Sequence, residues 1–240
     1  MNYESFLELI KNRRSIRKFK SDPVSDDYIE KIIEAARYAP SGANTQPWEF
    51  LIIKNQELKD SIMQIINELR NRGGVDRAPQ PNAVVSRPVH SPGDVSKAPV
   101  FIMLLGDERT RIGLPGKAGQ DDRKWQSVLT SSLANAFLYM HLAAASLGLA
   151  SQWQSGVERP DAREKLGKLL GLPGELHIYD MMVVGYPDAP PLPRILRERA
   201  KMVHYNYCRQ EDIRTEEEIQ DFFTKSRSLS DSRALDGKTH

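Results

Sequence analysis

The chain has few of the residues that mark the commonest catalytic chemistries. Its 240 residues include one cysteine, Cys208. That excludes an intrachain disulfide and a multi-cysteine zinc site. A lone thiol of this kind is expected to be buried or partly buried. The five histidines (His90, His141, His177, His204 and His240) show no metal-ligand spacing. His141 lies in an apolar helical stretch and reads as a core residue. There is no G-x-G-x-x-G, no P-loop and no G-x-S-x-G, and Cys208 has no evident base beside it in sequence. With no recognisable nucleophile or acid–base pair, any enzymatic chemistry here would have to be carried by a cofactor. A net charge of +2 is too small to argue for nucleic acid by itself. The longest apolar stretch, Ala134 to Ala150, is interrupted by Asn135 and His141 and falls short of the roughly 20 residues of a membrane span. The first residues lack the basic-then-apolar order of a signal peptide. A cytoplasmic protein is the expectation.

What is present is an ordered series of amphipathic segments. Tyr3, Phe6, Leu7 and Ile10 are helically spaced, and that helix ends near Asn12. Ser25 can cap a second helix with Ile29, Ile32, Ile33 and Ala36 on its core face, stopped by Pro40-Ser41-Gly42. Phe50 to Ile53, Pro99 to Leu105 and Tyr179 to Val184 read as strands. Leu58 to Leu69, Trp125 to Leu147, Asp161 to Leu170 and the acidic Thr215 to Phe223 read as helices. The 72–97 segment, rich in glycine, proline and basic residues, cannot build a core and reads as a loop, either a lid or a disordered insertion. Asp107 to Asp122 reads as a second loop. One domain over 1–225 is expected, followed by a disordered tail over 226–240. Helices outnumber the few separated strands, so the class is α+β or α/β with a small mixed sheet.

Three polar segments stand out. Arg13, Arg14 and Arg17, with Ser15 between them, suit a phosphate, because guanidinium is planar, always charged and able to bind two oxygens. Taken alone, such a pentapeptide is more often a solvated basic face. A second basic cluster, Arg194, Arg197, Arg199 and Lys201, could converge on the same phosphate. Ser41, Asn44 and Gln46 offer donors and acceptors around Gly42, where a ligand could approach the backbone. The same turn could simply cap itself, and Trp48 after it reads as core. Ser151 to Gly156 is polar where the preceding helix is apolar, as expected of a segment emerging into a site, or simply of a loop.

Arg13-Arg14-Ser15-Ile16-Arg17, the run from Pro40 to Trp48, Leu147-Gly148-Leu149 and Val184-Gly185-Tyr186-Pro187 together resemble the FMN-dependent nitroreductase superfamily, in its order and spacing, from about residue 5 to about residue 208. The resemblance implies an α+β fold with a central mixed sheet surrounded by helices. It also implies an intertwined homodimer with FMN at the interface and the C-terminal segment reaching across the partner. It assigns the FMN phosphate and ribityl chain to Arg13, Arg14, Ser15 and Arg17, with Arg194 and Arg197 as late phosphate ligands. Pro40, Ser41, Gly42 and Asn44 would pack on the flavin from the other subunit. Trp153, Gln154, Ser155 and Gly156 would lie along the ring, with Ser155 as donor to the nitrogen that accepts hydride. NADH or NADPH would reduce FMN, and an electron-poor nitroaromatic, quinone or activated alkene would then be reduced in ping-pong order. The alternatives are a reductive dehalogenase, a flavin-fragmenting relative and a non-catalytic flavin-binding protein. The halotyrosine-processing relatives use a glutamate, a tyrosine and a lysine to hold the amino-acid end. Here Glu68 is present, but no tyrosine occurs from Arg70 to Lys97.

Overall fold

The computed structural model describes residues 2–75, 95–191 and 194–236. By its contacts the chain divides into two compact units, the second beginning at 191. Most of the expected 72–97 loop lies outside the described residues. Its two ends do not behave as loop: the first residues finish a helix, and Val95–Lys97 form a 3-10 turn whose Val95 is buried in the core.

The first unit opens with α1 (Tyr3–Asn12), capped by the Asn2 side chain on the Ser5 amide. α2 (Asp26–Arg37) starts at Ser25, whose hydroxyl accepts from the Tyr28 amide. Next come β1 (Trp48–Ile53), α3 (Gln56–Val75), β2 (Val100–Asp107), α4 (Asp122–Ser146), β3 (Ala150–Gln154), α5 (Pro160–Leu170) and β4 (Leu176–Gly185). Gly171 ends α5 in the left-handed region at φ 62°, which glycine adopts without a Cβ penalty. The Asp107–Asp122 segment folds into two short 3-10 turns.

The sheet order is β1-β2-β4-β3, and all three pairings are antiparallel. Among the described residues the parallel component of the expected mixed sheet is a single isolated bridge, Ser15 to Ser151. Strand alternation sends successive side chains to opposite faces. Phe101, Met103 and Leu105 of β2 join Ile62, Ile66 and Leu166 from α3 and α5 in one core. Val100, Ile102 and Leu104 join Ile32, Leu133, Phe137 and Met140 from α2 and α4 in the other. Trp48 and His141 are buried, as expected.

α4 has the length and composition to cross a membrane, contrary to the shorter apolar stretch read from sequence. The helix begins twelve residues before Ala134, at Asp122, so its apolar window is longer. Its residues Trp125, Leu129, Leu133, Ala136, Phe137, Met140 and Ala144 are buried against the sheet and α2, which makes it the central helix of a core.

Two further expectations are corrected. β3 occupies a segment expected to be loop. Its Ser-Gln-Trp-Gln composition hides a strand at the sheet edge, flanked on its outer side by the isolated Ser15–Ser151 bridge, where polar side chains are tolerated. The second unit contains α6 (Glu216–Asp236), so the expected disordered tail is helical over 226–236, and 237–240 lie outside the described residues. The tail has no apolar periodicity, but it is also free of proline and has one glycine, Gly237, beyond the helix end. Cys208 is exposed rather than buried. It sits in an irregular stretch where Tyr205 and Tyr207 are about four-fifths exposed as well.

Candidate functional site

The arginine motif begins where α1 ends. Arg13 is its C-cap, with extended φ/ψ and its amide bonded to the Leu9 carbonyl. The chain then runs alongside β3: Ser15 bridges to Ser151, and the Ile16 amide donates to the Ser151 carbonyl at 3.1 Å. Ile16 and Phe19 enter the core and anchor the strip, leaving Arg13, Arg14 and Ser15 half-buried and Arg17 exposed.

Beneath the strip, the Nδ1 of His141 lies 2.7 Å from the Ser151 hydroxyl. Burial first, and the nearby Arg13 charge second, pull the His141 pKa down to about 4. The imidazole is therefore neutral at pH 7, and positive charge in this corner belongs to the arginines. Trp153, two residues along β3 on the same face, is 45 % exposed. Its ring meets Phe137 edge-on at 4.7 Å and lies within 21° of parallel to His141 at 6.3 Å. Gln154 is buried, with its amide donating to the Ser155 carbonyl. Ser155 is exposed at the strand end. Gly156 follows at φ 103°, and its amide donates to the Glu158 carboxylate at 2.5 Å.

The second motif is held elsewhere on α4. The Gly42 amide donates to Ser132 Oγ at 3.2 Å, and Asn135 Nδ2 donates to the Pro40 carbonyl at 3.0 Å. A Cβ at Gly42 would stand 2.5 Å from a Val128 methyl, so the turn needs glycine for this close approach. Ala43, Asn44 and Gln46 all have φ between 43° and 56°, in the left-handed region. Ser41 Oγ accepts from the Gln46 amide, and Asn44 Oδ1 accepts from the Gln46 side chain. Three non-glycine residues held in this region represent backbone strain on the order of 1 kcal/mol or more each. Such strain concentrates at functional turns.

The two motifs rest on different residues of α4. His141 lies nine residues beyond Ser132 on α4, about 14 Å along the helix axis. Arg13 to Ser15 and Trp153 to Gly156 share one end. The turn from Pro40 to Asn44 is held nearer the middle of the helix, at Ser132 and Asn135. Arg194 and Arg197 belong to the second unit; Arg194 is exposed, and half-buried Arg197 donates to the Lys201 carbonyl.

Two polar residues were missed in the sequence. Asp180, on β4, is buried. Its legible signal was a single acid inside the apolar run from Tyr179 to Val184. Glu158 carries no motif and is recognisable only through its bond to Gly156.

The family model for nitroreductases matches residues 10–186, a span that takes in both motifs and all four strands. The chain belongs to the nitroreductase family. Among relatives, the iodotyrosine deiodinase of Drosophila melanogaster is 33% identical over 197 residues, covering 80% of this chain and 66% of the fly protein. A proposed NADH dehydrogenase/NAD(P)H nitroreductase of Methanothermobacter thermautotrophicus is 30% identical over 191 residues, covering 79% of this chain and 81% of that one. The solved structure of oxidised iodotyrosine deiodinase bound to FMN and 3-iodo-L-tyrosine has the same fold. It superposes at a TM-score of 0.67 and 24% identity, over 85% of this chain and 100% of that one. For this nitroreductase-family chain, the fold thus has a solved counterpart.

Proposed function

We propose that this chain is an FMN-dependent oxidoreductase that works as a homodimer. It would pass reducing equivalents from NADH or NADPH to an electron-poor small molecule, such as a nitroaromatic, a quinone or an activated alkene. The observation that carries this reading is the half-buried Arg13-Arg14-Ser15 strip, bridged to β3 beside the exposed ring of Trp153. A phosphate needs cations in a partly desolvated place, and a flat heterocycle needs a rigid surface beside it. The residues present fit both needs. When bound, FMN would supply the redox chemistry, accepting hydride from the nicotinamide and returning two electrons to the acceptor.

The chain's own groups have separable tasks in this reading. Arg13, Arg14, Ser15 and Arg17 hold the phosphate and ribityl chain, and Arg194 and Arg197 are further phosphate candidates. Trp153, Gln154, Ser155 and Gly156 line the ring, with Ser155 as a donor to it. The backbone amide of Gly156 is a second donor, at present held by Glu158. Pro40, Ser41, Gly42 and Asn44 complete the site of the opposite subunit, as the family resemblance implies. A dimer also gives cover to apolar surface left bare on one chain. α1 buries no residue fully, and Tyr3, Phe6, Leu138 and Tyr139 are exposed. The two reactants would use one site in turn, which is ping-pong order.

A second reading, reductive dehalogenation, is favoured by the identity with the fly deiodinase. Against it, Glu68 is engaged by Lys165 of α5 at 3.7 Å, and the 70–97 segment has no tyrosine to complete the amino-acid clamp. The deciding experiment presents the reduced, FMN-loaded protein anaerobically with a nitroaromatic, a quinone and 3-iodotyrosine in parallel. Rapid reoxidation by the first two supports the primary reading. Iodide release with little reaction toward the others replaces it with the second.

A further inference from the structure

His141 is the one titratable side chain among the buried residues of α4. The residues one turn away on either side, Phe137 and Ala144, are apolar and buried. The proposed chemistry gives His141 no role. Its Nδ1 has a partner, the hydroxyl of Ser151 at 2.7 Å. Its Nε2 is buried without one. Burying a polar atom unpartnered destabilises a fold, so an aliphatic side chain would pack here at lower cost. Stability alone therefore does not explain a histidine at this position.

The imidazole touches both parts of the candidate site. Ser151, itself buried, carries the arginine strip on its backbone. Its carbonyl accepts the Ile16 amide at 3.1 Å, and it bridges to Ser15. The side chain of the same residue is tied to α4 through Nδ1 of His141. Two residues on, Trp153 projects from the same face of β3. Its ring centre lies 6.3 Å from that of the imidazole, within 21° of parallel. Phe137 braces the two from α4, meeting the imidazole edge-on at 4.9 Å and the indole at 4.7 Å. One side chain thus contacts both the residue that seats the strip and the residue that would face a bound flavin. It stands on the central buried helix, and a site held from a rigid element keeps its geometry better than one held from loops.

We propose that His141 is a positioning residue for the ligand site: through its bond to Ser151 it places the Arg13–Ser15 strip, and through its ring face it sets the plane of Trp153. The two parts of the site are thereby kept at a fixed spacing by one helix. This rests on the reading that the strip takes the FMN phosphate and Trp153 lines the ring. Burial first, and the Arg13 charge second, hold the His141 pKa at about 4. The imidazole is therefore neutral, and its contacts are unchanged, throughout the neutral range.

The test uses the full chain at pH 8, titrated with FMN and with riboflavin, beside urea midpoints. His141→Leu combined with Ser151→Ala removes both partners of the bond and leaves no hydroxyl orphaned, which is close to neutral for folding. This double variant is expected to keep a urea midpoint near wild type and to bind FMN more weakly, on the order of tenfold. His141→Asn, whose amide can reach Ser151 from the position of Nδ1, is expected to recover most of that affinity. Ser151→Ala alone frees the strip and keeps the stacked ring. It is expected to lower the preference for FMN over riboflavin while riboflavin binds as in wild type. FMN affinity equal to wild type in the folded double variant overturns the positioning role. Affinity that falls only in step with the urea midpoint, with no recovery in His141→Asn, overturns it too. A folded wild type that binds no FMN overturns the flavin reading, and the positioning role with it.

Discussion

His141 Nδ1 lies 2.7 Å from the hydroxyl of Ser151, directly under the backbone bridge that joins Ser151 to Ser15. This pair seats the arginine strip on the core, and it makes stability depend on pH. Burial depresses the His141 pKa from 6.5 to about 4. As pH falls through 6.5 the unfolded chain takes up a proton that the folded chain refuses until about pH 4. Stability from this group is thus fully present above pH 6.5 and lost progressively towards pH 4, on the order of 3 kcal/mol in all. Asp180 has the opposite sign. Its raised pKa lets the folded chain keep a proton that the unfolded chain has released above about 3.8, so stability falls as pH rises from there to about 7. The two slopes oppose each other in the wild type. Urea midpoints measured from pH 4 to 8 should rise steeply with pH in Asp180→Asn and fall with pH in His141→Gln.

The turn at Gly42 is pressed against α4. Gly42→Ala should cost about 1–3 kcal/mol, because the new methyl meets Val128 and pulls the amide off Ser132 Oγ. Val128→Ala should recover a large part of that loss. A double-mutant cycle by chemical denaturation checks both, and additive effects would show that the close approach is not the cause.

A site shared between the two chains of a dimer predicts complementation. Arg14→Ala should remove FMN binding through the strip, and Asn44→Glu should block it through the turn. In a two-fold dimer each site would draw one motif from each chain. Mixing and re-forming equal amounts of the two variants should therefore recover about a quarter of wild-type FMN binding, from the one intact site in each mixed dimer. Recovery of none would place both motifs in a single chain's site.

Cys208 provides a second check on assembly. Its thiol is exposed on the single chain, between Tyr207 and Arg209. If the C-terminal segment lies on a partner, labelling with a thiol reagent should be slow at high protein concentration and accelerate on dilution. A rate independent of concentration would argue that the segment stays on its own chain.

Most of the regular fold was legible because it follows from local chemistry. Ser25 caps α2, Gly171 ends α5, and the spacing of Ile29, Ile32 and Ala36 marks a core face. What escaped was set by long-range contact. β3 is a strand because β4 pairs with it, not because Ser-Gln-Trp-Gln favours one. The left-handed backbone at Ala43, Asn44 and Gln46 is imposed by the grip of Ser132 and Asn135 on the turn, and the sequence there has a single glycine to hint at it. The arginine strip was visible as charge, but its seat on Ser151 was not. Asp180 was visible as an acid out of place, while the bulge beside it at Tyr179 became evident only from the register of β2 against β4. Neither motif revealed which residues of α4 hold it.

The most direct measurement is an absorption spectrum of the purified chain after incubation with FMN and removal of free flavin, followed by anaerobic addition of NADH and then NADPH. The account predicts a retained flavin band, close to one FMN per chain, that bleaches with at least one of the two nucleotides. A chain that retains no flavin would contradict the reading of Arg13 to Arg17 as a phosphate site. A retained band that neither nucleotide bleaches would contradict the assignment as an NAD(P)H-driven oxidoreductase.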